Sequence, residues 1–184
     1  MLLARVAKEA EAQGLMVVSI ETPEKRSLPA LLIPALRSAL LKLNRVMAVG
    51  ELGKRALKVL GGFVGAMKVK FQDVEFALDL GSELGVADSG DLEDDLTALF
   101  LEVGAAAKER KTAVVLLIDE IQYIDEQQFA ALIMALHKCS QNQVPLTLTR
   151  RRVAAAGRTG RARQIIRRKT FRVSRNWSSV RAGC

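Results

Sequence analysis

Six consecutive apolar residues, Ala113 to Ile118, stop at two adjacent carboxylates, Asp119 and Glu120. The chain then continues Ile121-Gln122-Tyr123-Ile124-Asp125. Two acids at the end of a buried strand can do complementary work. One can order a hard cation such as Mg²⁺, which takes oxygen ligands. The other can orient a water or take its proton. The plain alternative is that Asp119 caps a turn and Glu120 is a solvated acid.

The elements around the pair decide whether it is well placed. Residues 2–13 carry helix formers with apolar residues at helical spacing, and Gly14 suits a helix stop. Residues 15–21, LMVVSIE, read as a buried strand broken by Thr22-Pro23. Residues 28–43 read as an apolar helix, with Pro29 in its first turn and Pro34 predicting a kink or a later start. A further helix covers 46–60, and Gly61-Gly62 is expected to end it.

Residues 67–80 alternate as a hairpin would, with Gln72-Asp73 at the turn and Lys68 and Lys70 on the exposed side, an amphipathic helix being the weaker alternative. After a loop, Ser89 is placed to cap a helix whose stripe is Leu92, Leu96, Leu99, Phe100 and Val103. The acids Asp91 to Asp95 read as its solvated start, where the helix dipole favours them. Strand 113–118 comes next, then the acid pair. Asp125 caps a helix over 126–139, with Gln128 in capping-box position. Residues 144–148 open another strand. Separated strands that are apolar on both sides mark a parallel sheet covered by helices on both faces. In such sheets ligands collect at the carboxyl ends of the strands.

At 184 residues the chain can build one domain with a substantial core. There is no apolar run of about 18 residues, so no membrane partner is expected. Cys139 and Cys184 give neither a disulfide framework nor a metal spacing, and a cytoplasmic location is the default expectation. His137, the only histidine, reads as one face of an amphipathic helix rather than a ligand. Charge is sharply divided. Residues 150–184 contain eleven Arg, one Lys and no acid, which is +12 of a chain total of +8 and leaves −4 for residues 1–149.

The string VVLLIDEIQYID, with a helix and VPLTL after it, resembles the Walker B region of AAA-type P-loop ATPases related to the origin-recognition type. The resemblance covers residues 1–148. It implies a P-loop NTPase-like parallel sheet in which Asp119 helps to hold Mg²⁺ through water and to bind ATP, while Glu120 polarises the attacking water. ATP and Mg²⁺ are the cofactors it implies, and DNA or another protein is the partner that hydrolysis would switch.

Such ATPases also need a phosphate loop, G-x-x-x-x-G-K-S/T, whose backbone amides cradle the phosphates. The 184 residues contain none. Residues 48–56, AVGELGKRA, are a decoy, with Arg55 at the Ser/Thr position and Ala48 at the first Gly. In the family, a helix like residues 2–13 directly succeeds that loop. The expectation is therefore an incomplete core, with the first strand and the phosphate loop absent, weak ATP binding, and an apolar edge at strand 144–148 that favours oligomers.

Two readings of residues 149–184 compete. One is a basic nucleic-acid arm, with Phe171 and Trp177 able to stack on bases. The other is a disordered tail produced by a shifted reading frame. RRRVAAAG, written in GC-rich codons and shifted by one base, becomes A-G-G-L-P-Q-L, matching the small-residue, Leu-Pro loop of the family at this place. Sequencing the coding DNA beyond the Leu148 codon checks this. A one-base shift that restores a continuous family-like frame is the expected outcome, and its absence would return the tail to the basic-arm reading.

Overall fold

The computed structural model describes residues 2–24, 26–46, 50–67, 83 and 85–150, the side chains of 2, 44–46 and 150 aside. Helix α1 (Leu2–Ala12) leads through a turn at Gly14 into strand β1 (Met16–Glu21), and then come helices α2 (Leu28–Val46) and α3 (Glu51–Ala66). Helix α4 (Leu92–Glu109), strand β2 (Val114–Asp119), a short 3₁₀ turn (Ile121–Tyr123), helix α5 (Glu126–Gln141) and strand β3 (Leu146–Arg150) complete the order. The molecule is thus α/β. The expected hairpin at 67–80, with Lys68 and Lys70, lies outside the described residues except for Met67, which ends α3.

The three strands form a parallel sheet in the order β1-β2-β3. Residues at alternate positions of a strand face opposite sides, and both faces of β2 are covered. Val115 and Leu117 pack with Ala10 and the apolar side of α1. Val114, Leu116 and Ile118 join the larger core with Leu32, Leu36, Phe63, Leu96 and Phe100 from α2, α3 and α4. All five residues from Val114 to Ile118 are buried, while Asp119 is half-buried. Among the described residues β3 has one neighbour, β2, and its Leu146 and Leu148 are only half-buried.

Several local expectations are corrected. Gly61 and Gly62 do not stop α3; they are buried inside it. A Cβ on Gly62 would come 3.2 Å from the Glu83 carbonyl oxygen and 3.4 Å from that of Val86, so this glycine permits close approach of a loop. Gly104 does the same in α4, where a Cβ would overlap the Val144 side chain leading into β3. Helix α2 begins at Leu28, as read from residues 28–43, and continues through Pro34, which excludes the later start. Strand β2 includes Asp119, and β3 starts at Leu146, after Pro145.

Capping also differs from the sequence pattern. Asp91, not Ser89, caps α4, accepting from the amides of Glu93 at 2.9 Å and Asp94 at 3.0 Å. Asp95 is not a solvated acid, being only 2% exposed. Its carboxylate accepts from Ser89 N (2.9 Å), Ser89 Oγ (2.8 Å) and Gly90 N (2.8 Å) and so organises the loop before the helix. Gln128 does not close a capping box. Its Oε1 accepts from Leu28 N at 2.6 Å, joining the start of α5 to the first turn of α2, 100 residues away in the chain.

Truncating Asp95 leaves three donors without their acceptor at a buried position. Hydrogen bonds to a charged group contribute about 1.5–3 kcal/mol net, and orphaned donors add to the loss. Asp95→Ala is expected to lower unfolding stability by about 2–4 kcal/mol, measured by urea denaturation with an unchanged m-value.

Candidate functional site

Asp119 is the last residue of the central strand, and the sheet holds it from both directions. Its Cα registers against Glu21, the last residue of β1. Its carbonyl oxygen accepts from Thr22 N at 3.2 Å, extending the ladder by one step. Its Oδ1 accepts from Glu120 N at 2.9 Å, so the side chain caps the adjoining turn. The capping half of the plain reading is therefore present in the geometry, and Asp119 stands at the strand end.

Glu120 leaves the strand abruptly. Its backbone is left-handed, at φ 54 and ψ 39, a region that costs a non-glycine residue of order 1 kcal/mol. The next residues form one 3₁₀ turn, with Tyr123 N donating to the Glu120 carbonyl at 3.0 Å. Ile121 and Ile124 anchor this turn by inserting into the main core. Between them, Gln122 Nε2 donates to the Glu120 carboxylate. Asp125 then caps α5, accepting from Gln127 N at 2.9 Å and Gln128 N at 3.4 Å.

Asp119 also lines a surface depression of about 360 Å³ with Ser19, Ile20 and Glu21 of β1, Leu117 of β2, and Leu3, Ala4 and Ala7 of α1. This places a strand-end carboxylate across from the first two turns of a helix. A second depression, about 370 Å³, is at the other end of the strands, around Gly14, Met16, Lys42, Arg110 and Thr112, remote from the acids in the chain's layout.

The sequence pattern did not single out three participants at this end of the sheet. Glu21 shares the depression with Asp119, and Gln122 contacts Glu120. Thr22 is 1% exposed, and neither its Oγ1 nor the buried Oε1 of Gln122 has a hydrogen-bond partner among the described residues. A signal for Glu21 did exist. MVVSIE and VVLLID are apolar strands of equal length, each closing on an acid.

The remaining candidates lie on helices. Gly53 and Lys54 of the decoy loop lie in the first turn of α3, where Lys54 pairs with Glu51 at 3.0 Å. His137 is exposed on α5, with its Nε2 3.1 Å from Gln141 Nε2. Among the described residues no three His, Cys, Asp or Glu side chains gather as a metal-binding group, and no helix is long and apolar enough to cross a membrane. No family model, curated protein or solved structure matches the chain.

Cys139 is fully buried in α5. Burial pushes its thiol up to about 11, from an ordinary value of 9.0. Because the thiolate is the reactive form, the raised value and the lack of access both suppress reaction. Iodoacetamide at pH 8 should leave the Cys139 peptide unmodified in the native chain and modify it fully in urea, as read by peptide mass mapping.

Proposed function

We propose that this chain carries the acid half of an ATP-hydrolysing site of the AAA type. Asp119 orders Mg²⁺ through its waters and Glu120 orients the attacking water. The observation that carries the reading is the position of the pair at the carboxyl end of the buried central strand of a parallel sheet, with Asp119 in a depression faced by α1. Phosphoryl transfer calls for a metal-ordering carboxylate and a water-orienting group placed side by side. The strand order β1-β2-β3 agrees with the reading, since it sets the acid-bearing strand between its two parallel neighbours.

The donor set fits the metal. Mg²⁺ keeps several waters and takes one or two carboxylates plus substrate phosphates. Asp119 and Glu21, in register and in one depression, supply carboxylates of that kind. When bound, the ion would supply charge neutralisation at the phosphates. The chain's own part is to hold Asp119 by the β1–β2 ladder and Glu120 by the adjoining turn.

With no phosphate loop among the 184 residues, ATP affinity of this chain is expected in the millimolar range or weaker by calorimetry, and micromolar affinity would contradict that expectation. In a chimera that supplies a strand and a G-x-x-x-x-G-K-S/T loop ahead of α1, phosphate release should fall roughly 10²-fold or more on Glu120→Gln. Unchanged turnover would remove Glu120 from the chemistry.

A second reading rests on the +12 charge of residues 150–184, which suits a nucleic-acid-binding protein without catalysis. It requires DNA affinity that falls steeply with salt and disappears when these residues are deleted. It also requires sequence or structure preference, because any arginine-rich tail binds DNA nonspecifically.

A further inference from the structure

The acid pair lies at the end of β2, and the chain just beyond it is unusual in three linked respects. Glu120 adopts a left-handed backbone conformation. One 3₁₀ turn then folds the chain back, and the side chain two residues on meets the carboxylate, Gln122 Nε2 to Glu120 Oε2. The other end of that amide is left without a partner, because Gln122 Oε1 is buried and nothing among the described residues donates to it.

An amide has two orientations, and the choice between them is informative. Turning Gln122 over would set its oxygen against the Glu120 carboxylate, an arrangement of two acceptors with no proton between them. The carboxylate therefore dictates the orientation, and the buried carbonyl bears the cost. A buried polar atom without a partner calls for a reason. Here the reason is the charge-assisted bond at the opposite end of the same side chain, since such bonds are stronger than neutral ones.

We propose that Gln122 is a positioning residue for Glu120, holding the carboxylate in one orientation at the end of β2. The proposal rests on the reading of Glu120 as the water-orienting acid. A group that orients water acts through its direction, and a glutamate side chain turning freely about its torsions would lose most of that effect. Ile121 and Ile124, inserted in the core on either side, keep Gln122 in reach while its own backbone is held in the 3₁₀ turn. Gln122 thus acts through Glu120 and is not itself a catalytic residue.

The test uses the full chain labelled with ¹⁵N and ¹³C. The Gln122 side-chain amide signals are identified by their loss in Gln122→Met, a substitution that keeps the length, loses the donor and removes the orphaned carbonyl. The amide signals should move in Glu120→Gln and stay in Asp119→Asn. In Gln122→Met the Glu120 carboxyl carbon signal should shift, the backbone signals of α2 and α4 should hold, and the thermal midpoint should stay or rise. A bond kept only for stability would instead lower the midpoint.

Amide signals that ignore Glu120→Gln would overturn the proposal. So would a Gln122→Met chain with a lowered midpoint and an unmoved Glu120 carboxyl signal. Failure of the underlying reading would show elsewhere, as phosphate release that does not depend on Glu120, and the spectra would still decide the contact.

Discussion

Burial of β2 on both faces is the constraint on which the rest of the molecule depends. A strand covered on one side only can alternate apolar and polar residues. A strand covered on both must be apolar throughout, and Val114 to Ile118 are. Their burial requires α1 beneath Val115 and Leu117, and the assembly of α2, α3 and α4 above Val114, Leu116 and Ile118. Removal of apolar surface contributes about 25 cal/mol per Å², so this strand contributes to both cores at once. No charged group can enter it without losing solvation that the core cannot replace. The first position at which a carboxylate can appear is the strand's end, where Asp119 is half-buried.

That constraint also shapes the turn. The chain must leave the sheet at Asp119 while keeping Ile121 and Ile124 in the core. A regular continuation of the strand would send these residues to positions set by strict alternation. The left-handed step at Glu120 and the single 3₁₀ turn instead bring two isoleucines three residues apart into the same apolar cluster. The cost of the backbone conformation is offset by burial of those two side chains, and the acid is presented at the point where the chain reverses. The strain at Glu120 is thus a consequence of anchoring on the core side.

Much of this was legible because it is local. Runs such as MVVSIE and VVLLID are short, β-branched and bounded by turn residues, and they became strands. The apolar stripe from Leu96 to Val103 became the buried face of α4. The illegible features depend on partners distant in the chain. Gln128 looks like a capping-box residue in its own helix, yet it binds the amide of Leu28, whose nearness only the folded chain creates. Gly61-Gly62 looks like a stop because glycine serves both helix termination and close approach, and the two uses have one spelling. Asp95 looks solvated because an acid in the first helical turn is favourable with or without burial. The register of Glu21 against Asp119 joins two segments far apart in the chain, and nothing in either segment alone states it. Residues 68–82 and 151–184 lie outside the described structure, so the hairpin and the tail stand as sequence expectations.

Three local costs stand beside the acids. Thr22 Oγ1 and Gln122 Oε1 are buried without partners among the described residues, and Glu120 takes a backbone conformation that side chains disfavour. All three lie at the carboxyl end of the sheet, just past the last residues of β1 and β2. An unsatisfied buried polar group costs about 1–3 kcal/mol, and apolar residues of similar shape, valine for Thr22 and methionine for Gln122, would remove these orphans. A sequence shaped by stability alone has a short route to those replacements. By contrast, the loop before α4 places three donors on the Asp95 carboxylate. Left-handed backbone is not confined to this end, since Ala87, Lys111 and Gln143 also have positive φ, so the local contrast is between the unpartnered atoms of Thr22 and Gln122 beside the acids and the Asp95 carboxylate, which accepts three hydrogen bonds in a structural loop.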